Sequence, residues 1–132
     1  MVKDFIYPSK ESIIFVNEII NIMSARKADK HELLASDTFI DDIIYRVKNA
    51  QGDVYDKAAV LLHSIIRSHG FASGNKRTGF IVTTHFLLQN HGRIRFRNFN
   101  KVEKVIRRLR ALETEDIAAW LRTGDIDESK IE

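Results

Sequence analysis

The residues of this chain best equipped for chemistry are gathered in one stretch, His69-Gly-Phe-Ala-Ser-Gly-Asn-Lys-Arg-Thr78. A histidine imidazole titrates near neutral pH and can take the proton of a hydroxyl group, so His69 is a candidate general base. Lys76 offers a compact cation, and Arg77 a planar fork able to hold two phosphate oxygens. Gly74 allows the backbone to approach an anion where a side chain would obstruct. Asn75 can donate or accept, and so orient a phosphate or a metal-bound water. A helix beginning at Asn75 turns its first N–H groups toward the preceding loop, making an anion site that the helix dipole strengthens. A base one short loop from such a cradle suits the transfer of a phosphate-containing group to a hydroxyl. Phe71 reads as a core plug that fixes the loop. His63, His85 and His91 read as structural or surface histidines.

These residues need elements to position them. Ala58, Leu61, Leu62, Ile65, Ile66 and His69 recur at three- and four-residue steps, which predicts a helix starting at Val54 or Tyr55 with His69 on its final turn. A second helix starts near Asn75 and is apolar nearly all round, the pattern of a central helix in a bundle; His91-Gly92 ends it, with Gly92 in the left-handed cap position. Upstream, Ser9 can cap a helix carrying Ile13, Val16, Ile20 and Met23 on one face. Ile14, Phe15, Ile19 and Ile22 widen that face and predict a well-buried helix. Asp29 and Glu32 fit a capping pair for a short turn through Leu33-Leu34.

Residues 37–48 allow two readings, a helix through Phe39, Ile40, Ile43, Ile44 and Val47 or a short extended hairpin. Ile94-Arg95-Phe96 alternates like a scrap of strand. Val102, Val105, Ile106 and Leu109 mark another amphipathic helix, and Thr114 caps a last one that Gly124 stops. The residues after Asp125 are polar and read as a loose tail. The fold class predicted is all-α, a bundle of about six helices with a possible small β-hairpin before the central helix.

With 132 residues, one compact domain over residues 1–132 is the simplest expectation. The 44% apolar and 30% charged composition is that of an ordinary soluble chain, without a membrane span or a secretory leader, so a cytoplasmic protein is expected. The absence of cysteine excludes disulfides and thiolate metal sites. The net charge of +3 is modest, but Arg93, Arg95, Arg97, Lys101, Lys104, Arg107, Arg108 and Arg110 stand against the single acid Glu103. Such a run attracts anions, whether nucleotide, RNA or an acidic protein face. A solvated basic face is the plainer reading, and a nucleic-acid partner is not the favoured one.

The string His69-x-Phe71-x-x-Gly74-Asn75-Lys76-Arg77-Thr78 resembles the active-site motif of the Fic/Doc family. It is most similar to the Doc (death-on-curing) version, because Lys76 stands where most adenylylating Fic proteins carry glycine and Phe80 where they carry a second arginine. The resemblance implies that His69 deprotonates a Ser, Thr or Tyr hydroxyl of a target protein. It implies that Gly74, Asn75, Lys76 and Arg77 bind the phosphates of ATP or another nucleoside triphosphate, and that residues 37–52 include a flap clamping the target by strand pairing. Glycine-containing motifs go with AMP transfer, and the lysine-containing Doc motif with transfer of the γ-phosphate to a translation factor. Doc-type members are toxins held inactive by a separate antitoxin, and the chain lacks the family's self-inhibitory Ser/Thr-x-x-x-Glu-Gly/Asn motif.

Two positions depart from the pattern. Gly70 replaces a common proline, which implies a looser loop. Ser73 replaces the acidic residue that holds Mg²⁺ between the nucleotide phosphates, which implies a weakened metal site and admits a degenerate nucleotide- or RNA-binding member.

Overall fold

The computed structural model describes residues 4–23 and 37–132; the Asp29–Glu32 capping pair expected above lies outside the described residues. The chain forms six helices: α1 (Lys10–Met23), α2 (Thr38–Asn49), α3 (Val54–Ser68), α4 (Asn75–Gln89), α5 (Phe99–Arg108) and α6 (Thr114–Thr123). Short 3₁₀ turns cover Leu109–Ala111 and Glu128–Lys130, and no strand element occurs among the described residues. The all-α bundle expected from periodicity is the observed fold.

The element at the centre is α3, not α4. α3 packs on α2, α4 and α6 and buries residues on more than one side, among them Ala58, Leu61, Leu62, Ser64, Ile65 and Ile66. Its start is fixed by a capping box. The Asp53 carboxylate accepts from the N–H groups of Tyr55 and Asp56 while the Asp56 carboxylate accepts from Asp53 N–H. Arg122 of α6 grips both acids, at 3.0 Å from Asp53 Oδ1 and 3.1 Å from Asp56 Oδ1. Burial pushes the Asp53 carboxyl up, but the Arg122 hydrogen bond and charge and the Asp56 N–H outweigh it and hold the group below its ordinary value. A depressed folded pKa contributes stability that is present above the unfolded value of about 3.9 and disappears as the pH falls through the folded one. Urea midpoints measured downward from about pH 5 should therefore fall more steeply for the native chain than for Asp53→Asn; equal slopes would exclude Asp53 as an acid-sensitive cap.

Residues 38–49 are helical throughout, which removes the hairpin alternative. Ile40, Ile43 and Val47 are buried at helical spacing, and Arg46 and Lys48 lie near the negative end of the helix dipole. The C-terminus of α2 is closed by an unexpected residue. Lys57 of α3 is buried, and its Nζ donates to the carbonyls of Val47 (3.1 Å), Lys48 (3.1 Å) and Ala50 (2.9 Å). Its ammonium also lies 5.2 Å from the Phe5 ring centre and 5.5 Å from that of Tyr7. Asn90 fastens the same N-terminal segment by accepting from Ile6 N–H (2.7 Å) and donating to Ile6 carbonyl (2.8 Å).

Three further expectations are corrected. Helix α1, capped by Ser9 as expected, is an edge helix: Phe15, Ile19, Ile22 and Met23 are exposed, while its inward row is Ile13, Asn17, Ile20 and Asn21. α4 likewise exposes Ile81 and Leu88. It ends in a Schellman turn in which His91, not Gly92, takes the left-handed position (φ 66°), with Gly92 N–H donating to Leu87 carbonyl and His91 N–H to Leu88 carbonyl.

Residues 92–98 are an extended connector instead of a strand. Ile94 and Phe96 turn inward, Phe96 stacking on Trp120 at 5.1 Å, but no strand pairs with them among the described residues. Glu113 rather than Thr114 occupies the N-cap of α6, and Gly124 ends that helix as expected. The residues after Asp125 dock instead of trailing: Ile131 is buried, and Lys130 Nζ meets Asp116 Oδ1 at 2.7 Å.

Candidate active site

Six residues separate α3 from α4, and both halves of the candidate chemistry lie on this turn. α3 stops at Ser68, so His69 is its C-cap, not part of its last turn, and adopts a left-handed conformation (φ 49°, ψ 35°). For a residue with a Cβ this geometry is costly. It swings the His69 side chain off the helix face and out to solvent, where the imidazole makes no hydrogen bond to a described residue.

The loop is then pinned from three directions. Phe71 is buried and meets Phe39 of α2 edge-on, with ring centres 5.4 Å apart. The Phe39 ring lies where a Cβ on Gly70 would stand, so glycine here allows close packing against α2. The Asn75 side chain reaches back to Phe71, accepting from its N–H (3.2 Å) and donating to its carbonyl (2.9 Å). Its amide is thus committed to the loop, which leaves the Asn75 backbone N–H for an anion. From α1, Asn17 Nδ2 donates to Ser73 carbonyl (2.8 Å) and Thr78 Oγ1 (3.1 Å), and Asn21 Nδ2 donates to Asn17 Oδ1 (3.1 Å).

Gly74 is the N-cap of α4 with φ 80°. A Cβ there would come within 3.2 Å of Asn17 Nδ2 and 3.3 Å of Asn21 Oδ1 besides straining the backbone. The first intrahelical bond is Thr78 N–H to Gly74 carbonyl, and no side chain caps the turn. The N–H groups of Asn75, Lys76 and Arg77 therefore point outward at the positive end of a fifteen-residue helix.

His69, Ser73, Gly74, Asn75, Lys76 and Arg77 line one open cleft of about 310 Å³, with Asn21, Ile20 and Ile66 behind them. The sequence-predicted base and anion cradle thus face the same space. Lys76 and Arg77 are exposed and unpaired among the described residues. They also border a second, mostly apolar groove of about 560 Å³ between α4 and α5, walled by Phe80, Ile81, Val102 and Ile106.

Sequence reasoning overlooked Asn17, Asn21 and this groove. The signal for the asparagines was present: two amides four residues apart, within a helix otherwise rich in isoleucine. Within the basic run, two of the cations are paired. Arg107 pairs with Glu103 at 2.7 Å, and Lys101 approaches Asp125 and Glu128 at 3.9 and 3.4 Å.

Among the described residues the lining of the cleft includes no carboxylate, and no group of three His, Asp or Glu side chains could hold a metal. This set does not fit a resident, carboxylate-held Mg²⁺. Nor is any described helix long and apolar enough to cross a membrane.

A comparison with curated proteins returns no match. The model of the Fic/DOC family matches residues 17–87, more than half of the 132-residue chain, from the Asn17 that braces the loop through the buried length of α4. The brace, the left-handed histidine and the uncapped helix start all fall within the matched segment: the chain belongs to the Fic/DOC family, whose members transfer a nucleotide-derived group to a target protein.

Proposed function

We propose that this protein is a Doc-like transferase that moves the γ-phosphate of a nucleoside triphosphate to a Ser, Thr or Tyr hydroxyl of a target protein, as the toxin of a pair restrained by a separate antitoxin. The observation that carries the reading is Lys76, a free cation on the uncapped first turn of α4 beside Arg77, in the cleft that His69 also lines. Phosphate oxygens accept from the Asn75, Lys76 and Arg77 N–H groups and from the two cationic side chains. The groove between α4 and α5 begins at those same cations and offers apolar walls for a base. The target hydroxyl gives its proton to the His69 imidazole as its oxygen attacks the γ-phosphorus. The bond from that phosphorus to the β–γ bridging oxygen breaks, and the nucleoside diphosphate departs.

A divalent cation would enter as part of the triphosphate substrate, and Ser73 would offer it a neutral hydroxyl in place of a carboxylate. Ser73→Asp restores a carboxylate, so half-maximal activation should need roughly tenfold less Mg²⁺, read from transfer rates across a Mg²⁺ titration. An unchanged Mg²⁺ requirement would remove Ser73 from the metal question.

The reading is tested by incubating the protein with Mg²⁺, cell lysate and ATP labelled at the α or the γ position. A labelled protein band from γ-labelled ATP alone, lost in His69→Ala, supports phosphate transfer. Labelling from the α position assigns AMP transfer instead. The carboxylate-free cleft favours one other reading, a member that binds nucleotide without transferring anything, and the absence of any His69-dependent band with either label selects it.

A further inference from the structure

A second polar cleft, of about 260 Å³, lies between α2 and α3 and shares no residue with the one holding His69. Phe39, Asp42 and Arg46 face it from α2, and His63, Ser64 and Arg67 from α3. Both guanidiniums stand at its rim, and neither makes a hydrogen bond or ion pair with a described residue, although Asp42 lines the same space. His63 Nε2 is buried without a partner. An arginine-flanked cleft lined by a histidine and a serine suits a polar, anionic occupant.

We propose that this cleft binds an orthophosphate group, as free phosphate or as a phosphate monoester. Two guanidinium forks match phosphate oxygens, and Ser64, which also lines the cleft, adds a neutral hydroxyl. Asp42 sets the choice among anions. A carboxylate repels a fully ionised oxyanion but accepts a hydrogen bond from a P–OH, so the site favours free phosphate, which keeps a proton near neutral pH, or a monoester in its singly protonated form, over sulfate, which carries no proton there.

The occupant would lie directly behind the loop that carries His69. Phe39 lines the cleft, and its ring also meets Phe71 and crowds Gly70. Ser68 also lines the cleft, and its Oγ accepts from Gly70 N–H at 3.4 Å. The site stands whatever group the chain transfers.

The test uses the full chain carrying Lys76→Gln and Arg77→Gln, so that the α4 cradle does not contribute, and follows amide resonances while inorganic phosphate is added at constant ionic strength. Saturable shifts at Ser64 and Gly70 are expected. Arg46→Gln with Arg67→Gln should weaken the response about tenfold or more. Sulfate should bind roughly fivefold or more weakly than phosphate, and Asp42→Asn should abolish that preference. Glycerol phosphate in place of phosphate distinguishes the two sources, since tighter binding of either one identifies the physiological form. Equal responses to phosphate, sulfate and chloride, or shifts unaffected by loss of both arginines, would overturn the proposal.

Discussion

Replacing His69 by glycine is expected to lower group transfer by roughly 10²–10⁴-fold, the usual contribution of a general base, while making the fold more stable. The two effects have one origin. His69 sits at φ 49°, a conformation costing a residue with a Cβ roughly 1 kcal/mol, and glycine adopts it freely. The imidazole is exposed and makes no hydrogen bond to a described residue, so removing it forfeits no packing. His69→Gly should therefore raise the unfolding free energy by about 1 kcal/mol, read as an increased urea midpoint. His69→Asn should be equally inactive with stability close to native, because asparagine tolerates the left-handed region. An inactive but destabilised glycine variant would mean that the imidazole supports the fold through contacts of its own. A glycine variant retaining transfer within about threefold would remove His69 as the base.

Lys57→Met should be the most damaging single change to the fold outside the apolar core, at about 3 kcal/mol. Methionine nearly matches the length of the lysine stem, so little volume is lost. What disappears is the donor group: the carbonyls of Val47, Lys48 and Ala50 lose Nζ at 3.1, 3.1 and 2.9 Å, and the Phe5 and Tyr7 rings lose their cation. The burial cost of an ammonium is relieved at the same time, which keeps the net effect below the sum of three charged hydrogen bonds. Urea denaturation of the two chains measures it, and a difference under about 0.5 kcal/mol would show that the three bonds merely offset the cost of burying the charge. Because Lys57 closes α2, and α2 holds Phe39 against the loop at His69 through Phe71, the proposed transfer should weaken near the midpoint of unfolding and not before.

How much of this was legible in the sequence differs by element. The helices whose apolar residues repeat every three or four positions were predicted to within a residue or two. The loop at His69 stood out because histidine, glycine and paired cations occur together between two such helices. What failed shares a physical character. Apolar content was taken for burial in α1 and α4, yet Phe15, Ile22 and Leu88 face outward; a single sequence states preference for a core, not room in it. Lys57 and Asn17 were passed over for the opposite reason. Their burial depends on carbonyls and hydroxyls brought by elements at least seven residues away in sequence, the farthest 61 away, and no local period encodes that. Residues 37–48 were ambiguous because β-branched side chains serve either state until the face of α3 is present to select helical spacing.

The shortness of the turn between α3 and α4 has a consequence for descent. The proposed proton acceptor, His69, caps one helix and the proposed anion cradle opens the next, with only Gly70 to Gly74 between them. One inserted residue could displace base and cradle by up to about 3.8 Å, beyond hydrogen-bonding reach, and a deletion would pull the Phe71 plug from its seat. Residues 92–98 link α4 to α5 without carrying either half of the chemistry. Over evolutionary time length variation should accumulate in that connector, while the loop at His69 changes by substitution alone. Ser73 and Gly70 are changes of that permitted kind.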